Sequence, residues 1–238
     1  MSTSSLRAAA ALEDLHLADW RRRVAELYAE VRRLALAGPA LAHARWREER
    51  EALYRDHPSS PVPAERRPAF RALHFPYDPS LRFELPLIGE VPDAAAPAPT
   101  EAGPTEAEAV SSLGRLGGLA LPVRTGAAPE FDRIGRLEVP LPGGPRRLAV
   151  FWLREYSGGI FLPFRDTTNG RETYGGGRYL LDTAKGADLG GDADAGTLVV
   201  DFNFAYQPSC AFDPGWSCPL SSPENRLDLE IRAGERIA

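Results

Sequence analysis

The sequence predicts a mainly antiparallel β-domain, of barrel or sandwich type, carrying an N-terminal helical arm, and so α+β overall. Three observations carry that expectation. From about residue 119 onward, short apolar segments alternate with turn residues at close intervals and no helical pattern intervenes. Leu137-Glu-Val-Pro-Leu141 and Leu227-Asp-Leu-Glu-Ile-Arg232 alternate strictly between apolar and polar residues, as half-buried antiparallel strands do. Ahead of them, residues 14 to 37 repeat apolar residues at spacings of three and four, which marks one face of a helix. The expected division is a helical arm of two helices over 1–57 and a β-rich domain over 58–238.

Taken in order, the first helix collects Leu17, Trp20, Val24, Leu27, Val31 and Leu34 on one face, with Arg21, Arg22, Glu26, Glu30 and Arg33 opposite. Gly38-Pro39 stops it, because proline cannot continue a helix and glycine tolerates the cap. A second helix is expected from Ala40 to about Arg55, ending before His57-Pro58. Both helices contain Trp-Arg-x-x-x-x-x-Leu-Tyr, ending at Tyr28 and Tyr54, a weak internal echo read as two faces docking on a core. Six prolines between 58 and 79 preclude long regular structure there, while Phe70, Leu73, Phe75 and Tyr77 predict an ordered, packed connection.

Leu81 to Leu87 gives a first strand, pushed toward a sheet edge by Pro86. Residues 91–112, rich in Ala, Pro, Glu and Thr, read as a flexible loop. The further strand candidates are Leu119–Arg124, Arg133–Leu141, Arg147–Leu153, Ile160–Phe164, Gly177–Leu181, Thr197–Phe202 and Leu227–Arg232. Pro142-Gly-Gly-Pro145 joins two of them as a hairpin turn.

Composition narrows the function classes. A chain of 238 residues can bury a core without disulfides or metals. The net charge of −5 argues against a general affinity for nucleic acid or anionic membrane. No stretch approaches the roughly 20 apolar residues that span a bilayer. The N-terminal alanine run is too short and too soon followed by Glu13 and Asp14 to read as a signal peptide, so a cytoplasmic protein with no membrane and no nucleic-acid partner is expected. Two cysteines, Cys210 and Cys218, are too few for a disulfide framework.

The polar residues that interrupt the apolar segments of Gly159–Glu235 are the candidate site. Tyr174-Gly-Gly-Gly-Arg-Tyr179 lacks the spacing of a phosphate-binding loop and is followed by a strand, so it reads as a tight turn. Cys210 and Cys218 are separated by a turn that brings the thiols together. They read first as structural thiols or a loop disulfide, and otherwise as a redox or nucleophilic pair. All four histidines are N-terminal, and four metal ligands are hard to assemble, so no metal and no cofactor are expected.

Asp201 lies in the apolar run Leu198-Val-Val-Asp-Phe202, which predicts partial burial and a partner, Arg178 or Arg165. Arginine beside Asn203, Tyr206 and Tyr179 suits a small anionic or hydroxylated ligand. The same groups could instead form an internal salt-bridge network. Glu224-Asn225, between prolines and the last strand, is explained by turn chemistry alone.

Several long motifs carry a resemblance. Phe161-Leu-Pro-Phe-Arg-Asp-Thr-Thr-Asn-Gly-Arg-Glu-Thr-Tyr-Gly-Gly-Gly-Arg-Tyr-Leu180, Asp201-Phe-Asn-Phe-Ala-Tyr-Gln-Pro-Ser-Cys-Ala-Phe212, Cys218-Pro-Leu, Pro223-Glu-Asn-Arg-Leu and Ala233-Gly-Glu235 together resemble the signature of a bacterial and archaeal family, domain of unknown function 1684. The likeness is dense from about Phe151 to Glu235. It is thin upstream, through Trp46-Arg47, Ser60-Pro61 and Phe75-Pro-Tyr-Asp78. Phe204 stands where the family pattern places an arginine, Gln207 where it places an asparagine, and Ser221-Ser222 where it places prolines. The resemblance implies no activity, and if the family's arginine binds a ligand, Phe204 removes that contact here while Arg178 remains.

The resulting expectation is a small-molecule-binding β-domain whose site draws on Arg165, Asp166, Tyr174, Arg178, Tyr179, Asp201, Asn203, Tyr206, Cys210, Cys218, Glu224 and Asn225. A second reading is an enzyme acting through Cys210 or an Asp201/Glu224 acid-base pair. A third is an interaction module that forms a homodimer through the N-terminal helix.

Overall fold

The fold was read from a computed structural model, which describes residues 3–89, 116–120, 129–154, 156 and 158–237. The loop expected at 91–112 lies outside the described residues. Two helices open the chain, α1 (Thr3–Ala35) and α2 (Pro39–Asp56). Ala37 and Gly38 both donate backbone N–H groups to the Leu34 carbonyl, closing α1, and Pro39 begins α2 where its missing N–H costs nothing. Of the expected apolar stripe, Leu27 and Val31 are buried, Trp20, Val24 and Leu34 are half-buried, and Leu17 is exposed. The described part of α1 therefore buries its C-terminal half.

The connection 58–79 is irregular, as its prolines dictate, with a 3-10 turn at Ala64–Ala69 and a two-residue strand β1 (Leu73–His74). The strands that follow are β2 (Arg82–Pro86), β3 (Leu116–Ala120), β4 (Glu130–Val139), β5 (Arg146–Leu153), β6 (Ile160–Phe164), β7 (Arg178–Asp182), β8 (Gly191–Asp192), β9 (Thr197–Asp201) and β10 (Glu235–Arg236). Among the described residues they form three antiparallel sheets. Strands β3-β4-β5-β6-β7 make a five-stranded meander, β2-β9-β8 a three-stranded sheet with β2 at the edge, and β1-β10 a pair. The β4–β5 hairpin turns through Pro142-Gly-Gly-Pro145, as expected.

No sheet closes on itself among the described residues. Two isolated antiparallel bridges, Ile88–Arg136 and Tyr179–Tyr206, link the larger sheets. The first meets β4 beside a register shift between Arg133 and Gly135, and the second extends the line of β9 onto β7.

One buried cluster fills the interior. It joins Leu148, Phe151, Leu162, Phe164, Leu180 and Leu181 of the meander to Val200 and Phe202 and to Leu27, Tyr28, Val31, Ala42 and Trp46 of the helices. Burying apolar side chains of this size contributes roughly 1.5–3 kcal/mol each.

The expected last strand, Leu227–Arg232, is corrected. Its alternation is real, since Leu227 and Ile231 are buried while Asp228, Glu230 and Arg232 are exposed. It has no ladder, however. Among the described residues it pairs only through a parallel bridge between Arg226 and Arg165 and through two backbone bonds, Leu227 N–H to Arg165 and Thr167 N–H to Leu229. Its neighbouring chain enters a turn at Thr167, and an arginine side chain bonds the Ile231 carbonyl and, just past the segment, those of Ala233 and Glu235.

Candidate functional site

That arginine is Arg178, whose guanidinium is fully buried. It donates to the carbonyls of Ala233, Ile231 (2.8 Å) and Glu235 (3.2 Å), and to Asp166 Oδ2 at 2.6 Å. Asp166 Oδ1 in turn accepts from the backbone and hydroxyl of Thr168, and Thr168 meets Thr173 at 2.8 Å. Asn169 closes the loop, accepting from Asp166 N–H and donating to Thr173 and to the Tyr174 carbonyl. The Gly175–Gly177 run is a tight turn. Gly177 N–H bonds the Tyr174 carbonyl with Gly177 at φ 100, where a Cβ would strike the Phe164 carbonyl. The charged residues at the centre of the family-like motif thus hold the loop and the C-terminal segment together.

Several other expected site residues have equally local partners. Arg165 donates to the Gly175 carbonyl at 2.6 Å. Asn225 clamps the Ala149 N–H and carbonyl and the Pro163 carbonyl at 2.7–2.8 Å, stitching β5 to β6. Glu224 faces Arg133 at 3.0 Å. Asn203 brackets the backbone of Asp78 and donates to Asp201 Oδ1.

The partner expected for Asp201 is also corrected. Neither Arg178 nor Arg165 is its partner, because Arg178 is directed to Asp166 and the carbonyls of Ile231, Ala233 and Glu235 and Arg165 to the Gly175 carbonyl, while the β2–β9 register sets Arg82 opposite Asp201. Among the described residues its ion-pair partner is Arg82, 3.8 Å away, and Asp201 Oδ2 is buried without a hydrogen bond. Burial pushes its carboxyl up to about 6, against the hydrogen bonds from Asn203. Asp201 and Glu224 have separate partners and share none.

The remaining expected residues converge elsewhere. Tyr179 and Tyr206 face each other across their bridge with rings 5.7 Å apart, and Tyr179 Oη donates to the Pro219 carbonyl. Cys210 N–H donates to Cys218 Sγ at 3.3 Å, and Tyr174 Oη to Cys210 Sγ at 3.6 Å. The two cysteines are buried and not bridged. The hydrogen bond with Cys210 and burial push the Cys218 thiol well up, which favours the protonated form over a nucleophilic thiolate.

Tyr179, Tyr206 and Cys218 line a cavity of about 70 Å³ between the helices and the sheets, whose other walls include Tyr28, Tyr54, Arg50, Asp182 and Lys185. Arg50 stacks on the rings of Tyr54 (4.3 Å), Tyr206 (4.6 Å) and Trp46 (5.5 Å). It pairs with Glu235 at 2.5 Å. Burial works against the Glu235 charge, but Arg50 outweighs it and holds that carboxyl below its usual range. Glu235 also accepts the Gln207 N–H at 2.7 Å. Tyr28 Oη is buried without a partner; Trp46 Nε1 lies close by, short of hydrogen-bond geometry. Burial raises the Tyr28, Tyr179 and Tyr206 phenols, so all three are neutral donors at neutral pH.

Sequence reasoning left Arg50, Tyr28 and Tyr54 out of the site. A signal was present, since Tyr28 and Tyr54 end the two copies of the Trp-Arg-x-x-x-x-x-Leu-Tyr echo, and both copies deliver their tyrosine to the same cavity. No group of three or more His, Cys, Asp or Glu suited to a metal occurs among the described residues, and no helix there is long and apolar enough to cross a membrane.

A family model described as "Protein of unknown function (DUF1684)" matches residues 117–236. A solved solution structure, of the uncharacterised protein from gene locus rrnAC0354 of the archaeon Haloarcula marismortui, is similar at 29% identity. The match covers 80% of this chain and 90% of that one, with a TM-score of 0.51. No curated protein matches.

Proposed function

The chain belongs to the DUF1684 family of proteins of unknown function, and from that premise we propose that it binds a small hydroxylated or anionic molecule, a polar group of which enters the tyrosine-lined cavity. The observation that carries this is the convergence of four tyrosines, Arg50 and Cys218 on one small cavity, with Tyr28 Oη buried and lacking an acceptor. An unpartnered buried hydroxyl destabilises the fold unless something accepts its hydrogen bond. About 70 Å³ accommodates a few non-hydrogen atoms, the share of roughly two waters. Arg50, the buried cation of the walls, is already paired with Glu235, which favours a hydroxyl-sized group over a full charge.

Thermal shift against sets of polyols, sugars and small organic acids tests the reading. A binder should raise the melting temperature of the wild type, by linkage, and not that of Tyr28→Phe. The unliganded variant should melt at or slightly above the wild-type temperature, because it loses an unsatisfied hydroxyl and no packing. Equal stabilisation of both proteins would place the ligand elsewhere.

The finer architecture is part of the same proposal. The bridges Ile88–Arg136 and Tyr179–Tyr206 support reading the two larger sheets as one interrupted, barrel-like ring that the helical arm caps over the cavity. A second reading is favoured by one observation: Leu12 and Leu15, a turn apart on α1, are 52% and 67% exposed, so the helix offers an apolar seam to a second copy of this chain. Solution mass by light scattering tests it.

A further inference from the structure

A second cavity shares Asp182 and Lys185 with the first and differs in character. Its volume is about 330 Å³, within the range of ligand sites. Phe131, Leu153, Ile160, Phe161 and Pro219 make it largely apolar. Phe131 and Phe161 stack at 5.1 Å, and Phe161 stands edge-on to Tyr179 at 4.7 Å, so the packed core backs it. Lys185 and Asp182 are its charged lining residues.

Lys185 is the only lysine in the chain. Its side chain is 56% exposed and its ammonium lies 3.4 Å from Asp182, whose carboxylate is nearly buried. Asp182 engages one side of the ammonium, and the half-exposed remainder keeps N–H donors for a second acceptor. An apolar chamber with a cation at its mouth matches one ligand chemistry: an apolar body ending in a carboxylate.

We propose that this cavity binds a small aliphatic carboxylate, its chain among Phe131, Leu153, Ile160 and Phe161 and its head on Lys185. The two cavities share Asp182 and Lys185, but the apolar walls belong to this one alone, and the proposal stands whether or not the tyrosine-lined cavity takes a ligand. Apolar transfer governs the chain, so affinity should rise about fourfold for each added methylene until the chamber is filled. The head adds a charge-assisted hydrogen bond at a partly exposed site, so its contribution should fall with salt.

The test is isothermal titration of the full chain with butanoate, hexanoate and octanoate, and with octan-1-ol. The expected result is one site per chain, affinity rising along the series, and weaker binding of the alcohol. Lys185→Gln, an exposed change that spares the core, should remove the preference for octanoate over octanol. Ile160→Arg, verified as folded by its melting curve, should abolish binding of both. Absence of octanoate binding at millimolar concentration, binding without chain-length dependence, or an unchanged acid preference in Lys185→Gln overturns the proposal.

Discussion

Asp201 and His43 respond to pH in opposite senses. Burial raises the Asp201 carboxyl from 3.8 to about 6, so its contribution to stability is complete below about pH 4 and is lost as pH rises through 6. Burial lowers His43 from 6.5 to about 4, so its contribution is complete above about pH 6.5 and is lost as pH falls toward 4. Each shift corresponds to on the order of 3 kcal/mol across its window. His74, lowered for the same reason and 6.1 Å from His43, adds to the histidine side.

The windows overlap between about pH 4 and 6.5, where the two effects offset each other. Urea unfolding across that range should therefore show a shallow slope for the wild type. Asp201→Asn should give stability that rises with pH, and His43→Leu stability that falls with pH, less steeply because His74 still opposes it. Parallel curves for all three proteins would sink this account. Burial of Asp201 was legible in its apolar run. Its neighbour Arg82 was not, because that juxtaposition depends on the register of β2 against β9.

At the scale of elements, the segment 227–232 shows what alternation can and cannot say. Period-two burial requires an extended chain facing a core on one side. It does not require a hydrogen-bonded neighbour. Here the side chain of Arg178 bonds the Ile231 carbonyl at the end of the segment and those of Ala233 and Glu235 beyond it, so one buried side chain anchors the stretch that no ladder holds. Arg178→Met should cost about 3–5 kcal/mol, because it leaves the Asp166 charge buried and unpaired along with three carbonyls. Arg171→Ala removes an exposed ion pair with Glu230 and should cost less than about 1 kcal/mol. Chemical denaturation separates them, and a mild Arg178→Met would disprove the structural role given to that network.

Gly234 belongs to the same element. At φ 76 it brings the chain so close to Ala205 that a Cβ would collide with the carbonyl there. That approach sets the next residue, Glu235, against Arg50. The Ala-Gly-Glu motif was visible in sequence, but the α2 residue it meets lies 185 positions away.

At the scale of the whole molecule, α1 and α2 contribute Leu27, Tyr28, Val31, Ala42 and Trp46 to the core shared with the sheets. The exposed Leu12 and Leu15 lie on the part of α1 that this packing leaves uncovered. If a second copy covers them, Leu12→Glu with Leu15→Glu should convert a dimer to a monomer while leaving the melting temperature of the isolated fold near its original value. A wild-type mass of one chain, or an unchanged dimer mass in the double variant, would remove that seam. The apolar stripe of α1 was readable from spacing alone. That its covered half ends near Trp20 was not, since coverage is a property of the surface that meets the helix.

What the sequence determined by itself is local or periodic: two helices, an extended Pro-rich connection, β4 to β7 and β9, the hairpin at 142–145 and membership of the family. Those features follow from side-chain spacing, from proline and glycine backbone limits and from long motifs. Tertiary structure alone decided which polar residues meet. Arg178 and Asp166 close a loop, Asn203 and Asn225 clamp backbones, and Tyr179, Tyr206 and Cys218 join Tyr28, Arg50 and Tyr54 around a cavity. The physical reason is that a buried polar group must find a partner wherever the packed chain places one, and apolar packing, which sets those places, is blind to sequence distance.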